Sequence, residues 1–412
     1  MQLLHSRVAA LDIGKRSLVA CVCTPAKQCE AERRQELRTF ATTTPGLLEL
    51  RDWLVAEGVT CVAMESTSGY WRGAFYLLED AVGDVMLVNP AHARNVPGRR
   101  TDALDAAWLC ELAEHGLRRA SFVPPRPVRE LRDLTRYRAS LIAERTREAQ
   151  RLEKELEDAR IKISAVVSDL LGVSGRRILH ALVDGQCDPR ELAQLAEGRM
   201  RARIPELAEA LDGDFRDHHA FLVRMHLRRI DEITAAIDEL SQRIEEAMGA
   251  FVRERELLET IPGVGQHTAE MIIAEIGADM GRFPSSGNLA SWAGTTPGHY
   301  TSAGISTSYR TRPGSRWLAA ALGLAAICAG RSENTYLGAR YRRLLPRLGN
   351  DRAIVALQHD ILVAAWHMLS RDEPYRDLGA DHHERLDPER TRRNAVAQLQ
   401  RLGYRISLVP AA

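Results

Sequence analysis

Thr101-Asp102-Ala103-Leu104-Asp105-Ala106-Ala107-Trp108 is the stretch on which the rest of the chain is best organised. Thr101 reads as an N-cap, and the apolar residues between Asp102 and His115 recur at helical spacing. Asp102 and Asp105 are three apart, which puts both carboxylates on one helix face with Cβ atoms roughly 5–6 Å apart. Two carboxylates so close either complement the positive end of the helix dipole, share a proton, or hold a cation between them. The choice depends on where the other acids of the first hundred residues fall.

Moving back from that helix, 85–88 is a short apolar strand, 70–80 a helix, and 59–64 a strand that runs into Glu65-Ser66-Thr67-Ser68-Gly69-Tyr70. Upstream, Pro45 opens a helix over 45–57 with Thr44 as its cap, and 37–41 has the pattern of a strand. Val8–Ile13 and 18–23 form a hairpin around Gly14-Lys15-Arg16. Asp12 therefore sits inside a core strand, where a carboxylate needs a partner, a proton or a cation. Glu65 lies at a strand's carboxyl end, the place where open α/β sheets put their chemistry. Asp12, Glu65, Asp102 and Asp105 together can form an oxygen-rich pocket. It suits two Mg²⁺ ions, which bind through few carboxylates and stabilise both oxygens of an in-line phosphoryl displacement.

Ala-Leu-Asp-Ile-Gly-Lys around Asp12, Met-Glu-Ser-Thr-Ser-Gly-Tyr-Trp around Glu65, Val-Asn-Pro before Arg94, and Thr-Asp-Ala-Leu-Asp-Ala-Ala at 101–107 resemble one known domain. It is the RuvC-like, RNase H-fold domain of the DEDD transposases, an insertion-sequence family whose recombinases use a non-coding bridge RNA. The resemblance implies an acidic tetrad at Asp12, Glu65, Asp102 and Asp105. Arg94, Arg99 and Arg100, just ahead of the acidic helix, are then candidates for phosphate contact, or simply a solvated loop.

Beyond a Pro-rich hinge at 123–127, Leu131, Leu134, Leu141, Leu152 and Leu156 recur at threes, fours or their sums. A second series, Phe221, Ile230, Ile233, Ile237, Leu240, Ile244 and Met248, does the same. Two long helices packing as a coiled-coil arm follow, within the chain or across a dimer. Arg129, Arg132, Arg136, Arg138, Arg145, Arg147 and Arg151 alternate with acids on the first helix, as solvated Arg–Glu pairs or as RNA contacts. Residues 159–218, broken by Gly and Pro, read as short helices capping the arm.

Leu257-Leu258-Glu259-Thr260-Ile261-Pro262-Gly263-Val264-Gly265, followed by a helix over 267–277, resembles a helix-hairpin-helix. Gly263 and Gly265 would let backbone N–H groups approach a phosphate. Ser302 lies in a loop rich in Gly and hydroxyl residues, ahead of Arg310, Arg312 and Arg316. Arginines beside a phosphate stabilise both a serine alkoxide and a pentavalent transition state. Leu-Ala-Ser-Trp-Ala-Gly-Thr-Thr-Pro at 289–297, five residues before Ser302, is similar to the same family's second domain, which implies a catalytic serine at Ser302. The basic turn departs from many relatives, reading Arg310-Thr311-Arg312-Pro313-Gly314-Ser315-Arg316, and Ser306 and Ser308 lie close by. Tyr341 with Arg340, Arg342 and Arg343 is a further place for nucleic acid to pack.

Composition adds bounds. The 412 residues are 45% hydrophobic, with 56 Lys+Arg against 55 Asp+Glu, so the overall balance names no partner. The distribution does: positions 301–350 hold eight Arg and one acid, Glu333. Seven Cys without a C-x-x-C pair disfavour a disulfide framework and a zinc site, and suit a reducing cytoplasm. No signal peptide or apolar run of membrane-spanning length is evident, so no membrane partner is expected. His218-His219 and His382-His383 read as surface pairs, and the tail after Pro374 as loosely ordered or a short appended helix.

The expected architecture is α/β plus α. An RNase H-like mixed-sheet domain (1–122) precedes a helical arm (123–256, with inserted helices at 159–218). A mainly helical serine-bearing domain (257–370) and a charged tail (371–412) follow. The expected function is a Mg²⁺-dependent DNA transposase forming a phosphoserine link to DNA, with a structured guide RNA, as a homo-oligomer (dimer or tetramer). A RuvC-like nuclease or junction resolvase without serine chemistry, and a non-catalytic nucleic-acid scaffold, are the alternatives.

Overall fold

The computed structural model describes residues 4–26, 33–65, 68–88, 102–116, 120–298, 300–302, 305–308 and 310–408. Of Asp102, Tyr300–Ser302, Ile305–Ser308 and Arg390 it describes the backbone alone. Arg94, Arg99, Arg100 and the cap Thr101 lie outside the described residues. The chain divides into two compact units, Met1–Val123 and Pro124–Ala412.

The first unit is built on a five-stranded sheet of order β3-β2-β1-β4-β5. Its strands are β1 (Val8–Ile13), β2 (Ser17–Pro25), β3 (Arg33–Ala41), β4 (Cys61–Glu65) and β5 (Asp84–Val88). β2 runs antiparallel to β1 and β3, while β1, β4 and β5 are parallel. β1 and β4 read as continuous apolar runs because both their faces are covered. Ala9, Leu11, Val62 and Met64 pack under helices α1 (Thr44–Ala56) and α2 (Trp71–Leu78) through Leu50, Trp53, Leu54, Phe75 and Leu78. Val8, Ala10, Cys21, Cys23, Cys61 and Ala63 face the other way, under Ala106, Leu109, Cys110 and Ala113 of helix α3 (Asp102–Glu114). β3 is four residues longer than the 37–41 expected, and its Arg- and Glu-rich residues fit an exposed edge.

The small residues of this second face let α3 lie close to the sheet. Cys21, Cys23 and Cys110 consequently meet there, fully buried, with their sulfurs within 4.8 Å of one another. Spacing along the chain gave no hint of that convergence. Arg33 of the edge strand donates to Glu114 at the end of α3 (Nε to Oε1, 2.9 Å) and to the Ser6 carbonyl (2.8 Å).

The second unit contains the arm: α4 (Arg126–Asp158), and, after four short helices, α5 (Ile163–Val166), α6 (Val173–Val183), α7 (Pro189–Gln194) and α8 (Ile204–Ala210), the long α9 (Asp217–Met248). α4 meets α9 at Glu144–Arg229 (2.8 Å), Glu148–His226 (2.7 Å) and Asp158–His219 (3.1 Å), so the two run antiparallel within one chain. The seam buries Leu141, Leu152 and Leu156 against Val223, Leu227, Ile230, Ile233 and Ile237, and Leu131 and Ile244 are buried as well. Phe221 does not belong to it. It is 57% exposed, because the true phase of the stripe passes through Val223.

His219 is also corrected, from surface to fully buried. Its Nδ1 accepts from the Arg216 amide (3.1 Å) and its Nε2 donates to Asp158, an assignment that follows from the amide being a donor only. The short helices close the arm's tip over a core of Ile163, Ile178, Leu179, Leu192 and Leu207.

The remaining elements are α10 (Val252–Glu259), α11 (Gln266–Ile276), α12 (Ser286–Trp292), the hairpin β6 (Tyr300–Ser302) and β7 (Ile305–Ser308), α13 (Arg316–Arg331), α14 (Tyr336–Leu348), α15 (Asn350–Arg371), α16 (His382–Leu386) and α17 (Pro388–Arg401). α11 is buried along its length from Thr268 to Ile276. α15 is long and apolar enough by composition to cross a membrane, yet its Leu357, Ile361, Leu362 and Ala365 are fully buried core residues.

The segment after Pro374 carries the short helices α16 and α17, the second of the two expected readings, and its start is tied down. The Tyr375 amide donates to Thr260 Oγ1 (2.8 Å) and the Tyr336 amide to Asp377 (3.0 Å). The Tyr336 ring also packs on His382 and His383, so that pair is not simply solvated either.

Candidate active site

Strand pairing fixes the first two acids. Asp12 of β1 and Glu65 of β4 are direct partners in the parallel register, so they stand roughly 4.8 Å apart across the ladder. Alternation puts Asp12 on the Val8/Ala10 face and Glu65 on the Cys61/Ala63 face, which is the face α3 covers. Both are half-buried and both have partners within the chain.

The direction of α3 follows from two contacts. The Leu4 amide donates to the Glu114 carbonyl (2.8 Å), and Cys110 Sγ donates weakly to the Val8 carbonyl (3.6 Å). α3 therefore runs antiparallel to β1. From Cys110 back to Asp102 is about 12 Å of helix, and from Val8 to Asp12 about 13 Å of strand. The start of α3 thus comes to the Asp12/Glu65 end of the sheet. Asp102 falls in line with the buried Ala106, Leu109 and Ala113, while Asp105 is exposed on the first turn.

An oxygen-only donor set of this kind fits a hard divalent cation. Among the described side chains, those whose ligand atoms already lie within 4.8 Å of one another are Cys21–Cys23–Cys110 and His5–Cys61–Asp84, not the carboxylates.

In the second unit the hairpin carrying Ser302 is anchored at its base. Pro297 bridges Thr311, and the Gly298 amide donates to the Arg310 carbonyl (2.9 Å). Ser302 pairs with Ile305. The Trp-Ala-Gly and Pro-Gly-Ser motifs explain each other. A Cβ on Gly294 would sit 2.4 Å from the Arg312 carbonyl oxygen, and one on Gly314 2.0 Å from that of Ala293. The end of α12 and the basic turn therefore cross backbone against backbone. Arg310 and Arg312 are exposed, and Arg316, first residue of α13, lies over the Trp317 ring (4.5 Å).

The Gly263-Val264-Gly265 turn joins α10 to α11. Gly263 has φ +88° and its Cα faces α13, where a Cβ would meet the Ala325 carbonyl at 2.3 Å. Its role in the structure is close packing. Gly265, the N-cap of α11, has open space around it.

The arm arginines hold α11. Arg132 donates to the Ala274 and Glu275 carbonyls (2.9 and 2.7 Å), and Arg136 grips Glu275 with two bonds (2.7 and 2.9 Å). Glu275 also accepts from Ser315 Oγ (2.8 Å), the N-cap of α13. Arg138 pairs with Glu270, both buried. Burial pushes the Glu270 carboxyl up, but hydrogen bonds from His267 and Arg138 outweigh it and hold it below the ordinary 4.5. Periodicity shows such arginines alternating with acids on the same helix, whereas their partners lie some 130 residues away. Arg132, Arg136 and Arg138 are thus neither solvated pairs nor free for RNA.

The Tyr341 cluster is tied down in part, with Arg342 and Arg343 still exposed. Arg340 is held by Asp360, Arg342 by the Ser332 and Glu333 carbonyls, and the Tyr341 hydroxyl by Asn350.

A DEDD transposase of the IS110 type is the family model that matches residues 9–161, which hold the four acids. A second, described as Transposase IS116/IS110/IS902 family, matches residues 255–342, which hold Gly265, Ser302 and the basic turn. In sequence the two matches fall on either side of the arm's tip, one over each candidate region. The chain belongs to the IS110 family of DEDD transposases. It is also 32% identical over 111 residues to a Streptomyces coelicolor protein named "Mini-circle putative transposase for IS117", a match spanning 24% of this chain and 26% of that protein.

Proposed function

We propose that the chain is a DNA transposase, a recombinase of an insertion sequence that cuts and exchanges DNA strands through a covalent phosphoserine link. The observation that carries this reading is the register of Asp12 against Glu65 with the start of α3 brought over them. The strand order 3-2-1-4-5 with one antiparallel strand supports an RNase H-like fold for residues 1–122.

Asp12, Glu65, Asp102 and Asp105 would hold two Mg²⁺, which supply charge stabilisation to the attacking and leaving oxygens. Ser302 Oγ attacks the phosphorus. The Oγ–P bond forms as the bond to the leaving sugar oxygen breaks, the serine proton passes to solvent, and the leaving oxygen takes one up. Arg310, Arg312 and Arg316 neutralise the phosphate, and Gly265 at the start of α11 offers backbone N–H groups to a neighbouring one. Partners in this reading are the element's ends and target DNA, a structured non-coding RNA as guide, and further copies of the chain in a cytoplasmic dimer or tetramer. Several strands must be cut in one assembly.

The test uses the full chain, DNA spanning the gene's own flanks, and RNA transcribed from them. With Mg²⁺ a protein–DNA adduct resistant to denaturant forms, and chelator or Ser302→Ala abolishes it. Cleavage that survives Ser302→Ala without any adduct would make the chain a resolvase-like nuclease. DNA or RNA binding unaffected by chelator, with no cleavage, would make it a scaffold.

A further inference from the structure

At the base of the Ser302 hairpin lies a cavity of about 840 Å³ with a two-sided chemistry. One wall is Pro297 and Thr311, the bridged pair from which the hairpin rises. The other is one face of α15, where Arg352, Val355, Ala356 and His359 follow each other at helical spacing. Leu348 of α14 completes an apolar floor. The rim is cationic. Arg310 and Arg352 are exposed, and Arg352 makes no hydrogen bond or ion pair among the described residues. Arg340, also on the rim, is fixed by Asp360. Asp351 is the one acid among the described lining residues, and it sits on the first turn of α15, where the helix dipole offsets it.

We propose that this cavity receives an unpaired nucleobase of the DNA strand being cut, with the base's own phosphate on Arg310 and Arg352. A nucleobase has apolar faces to lay on Val355, Leu348 and the His359 ring, and it carries an anion at a fixed distance for the rim. No purely apolar ligand uses the arginines, and no bare phosphate uses the floor. A cavity within the size range of ordinary ligand sites admits one nucleotide with room for water. Unpairing and unstacking a base costs about a few kcal/mol, and a waiting cavity offsets part of that cost. The inference rests on the reading of the hairpin as a strand-cutting element and names the strand feature it holds.

The experiment uses the full chain with Ser302→Ala in chelator, so that binding is read without cleavage. The probes are a mixed-sequence single strand of about 20 nucleotides, a strand of equal length lacking its bases, and a duplex. The unsubstituted cavity binds the base-bearing strand about tenfold more tightly than the baseless one. Val355→Trp, which fills the floor, removes that preference and leaves duplex binding within about twofold. Arg352→Ala, at an exposed position that leaves folding untouched, weakens both single strands and lowers the salt slope by about one.

A preference that survives Val355→Trp in a protein of unchanged melting temperature overturns the proposal. So does an Arg352→Ala protein with unaltered salt slope. A concentration-dependent dimer lost in Val355→Trp with DNA preference intact would show the cavity to be a contact between copies, and would overturn it too. The serine reading fails on a separate observation, adduct formation by Ser302→Ala, which this binding assay does not touch.

Discussion

The two candidate catalytic regions are held in opposite ways. In the first unit, Asp12 and Glu65 are neighbours because two buried strands pair in one register, and a slip of one residue would put them on opposite faces. In the second, Ser302 stands on a short hairpin whose base is fixed by a single bridge and by two glycines crossing at Gly294 and Gly314. Carboxylates that must share cations need fixed spacing, which a sheet interior gives. A nucleophile that must attack and later release a strand is better placed on an element with few buried contacts.

The largest expected effect falls on the sheet side. Asp12→Asn or Glu65→Gln, isosteric changes, should cut adduct formation by about a thousandfold or more while leaving the melting temperature unchanged. A loss of less than about tenfold would mean the pair is structural. Next comes Arg138→Met. It takes the buried cation away from Glu270, leaving His267 beside the carboxylate, and should cost about 3–5 kcal/mol in urea denaturation of the full chain.

The same pair sets an acid limit. The folded-state value of Glu270 lies below its ordinary 4.5, so protonation favours the unfolded chain. Its stabilisation is complete above pH 4.5 and fades as pH drops through the depressed value. Melting temperatures between pH 3 and 6 should show that decline, and Glu270→Gln should flatten it. Gly263→Ala, which combines φ +88° with a contact of 2.3 Å to α13, should destabilise by about 2–4 kcal/mol. Within the arm, Ile230→Ala should cost about 2–5 kcal/mol. Phe221→Ser, on the exposed side of the same helix, should stay within about 0.5 kcal/mol.

Much of this was legible in the residues themselves. The strand and helix order of the first unit, the special positions of Asp12 and Glu65, and the two arm helices all follow from alternation and threefold–fourfold spacing. What periodicity cannot supply is which residues meet across the chain. Phe221 carries the right spacing from its neighbours but the wrong phase. His219 looks like a solvated pair member until Asp158 and the Arg216 amide enclose it. Arg136 and Arg138 find Glu275 and Glu270 only when α11 docks on α4. Gly263 serves packing because α13 happens to pass at that point.

The proposed cooperation of a sheet-held acidic pocket with a hairpin-held serine is tested most directly at the linkage itself. The denaturant-resistant DNA adduct formed with Mg²⁺ should be digested with protease and nuclease, and the modified peptide sequenced by mass spectrometry. The expected result is a nucleotide remnant on Ser302, present in the wild-type protein and absent in Glu65→Gln. A remnant on Ser306 or Ser308, or an adduct on Ser302 that forms undiminished in Glu65→Gln, would contradict it.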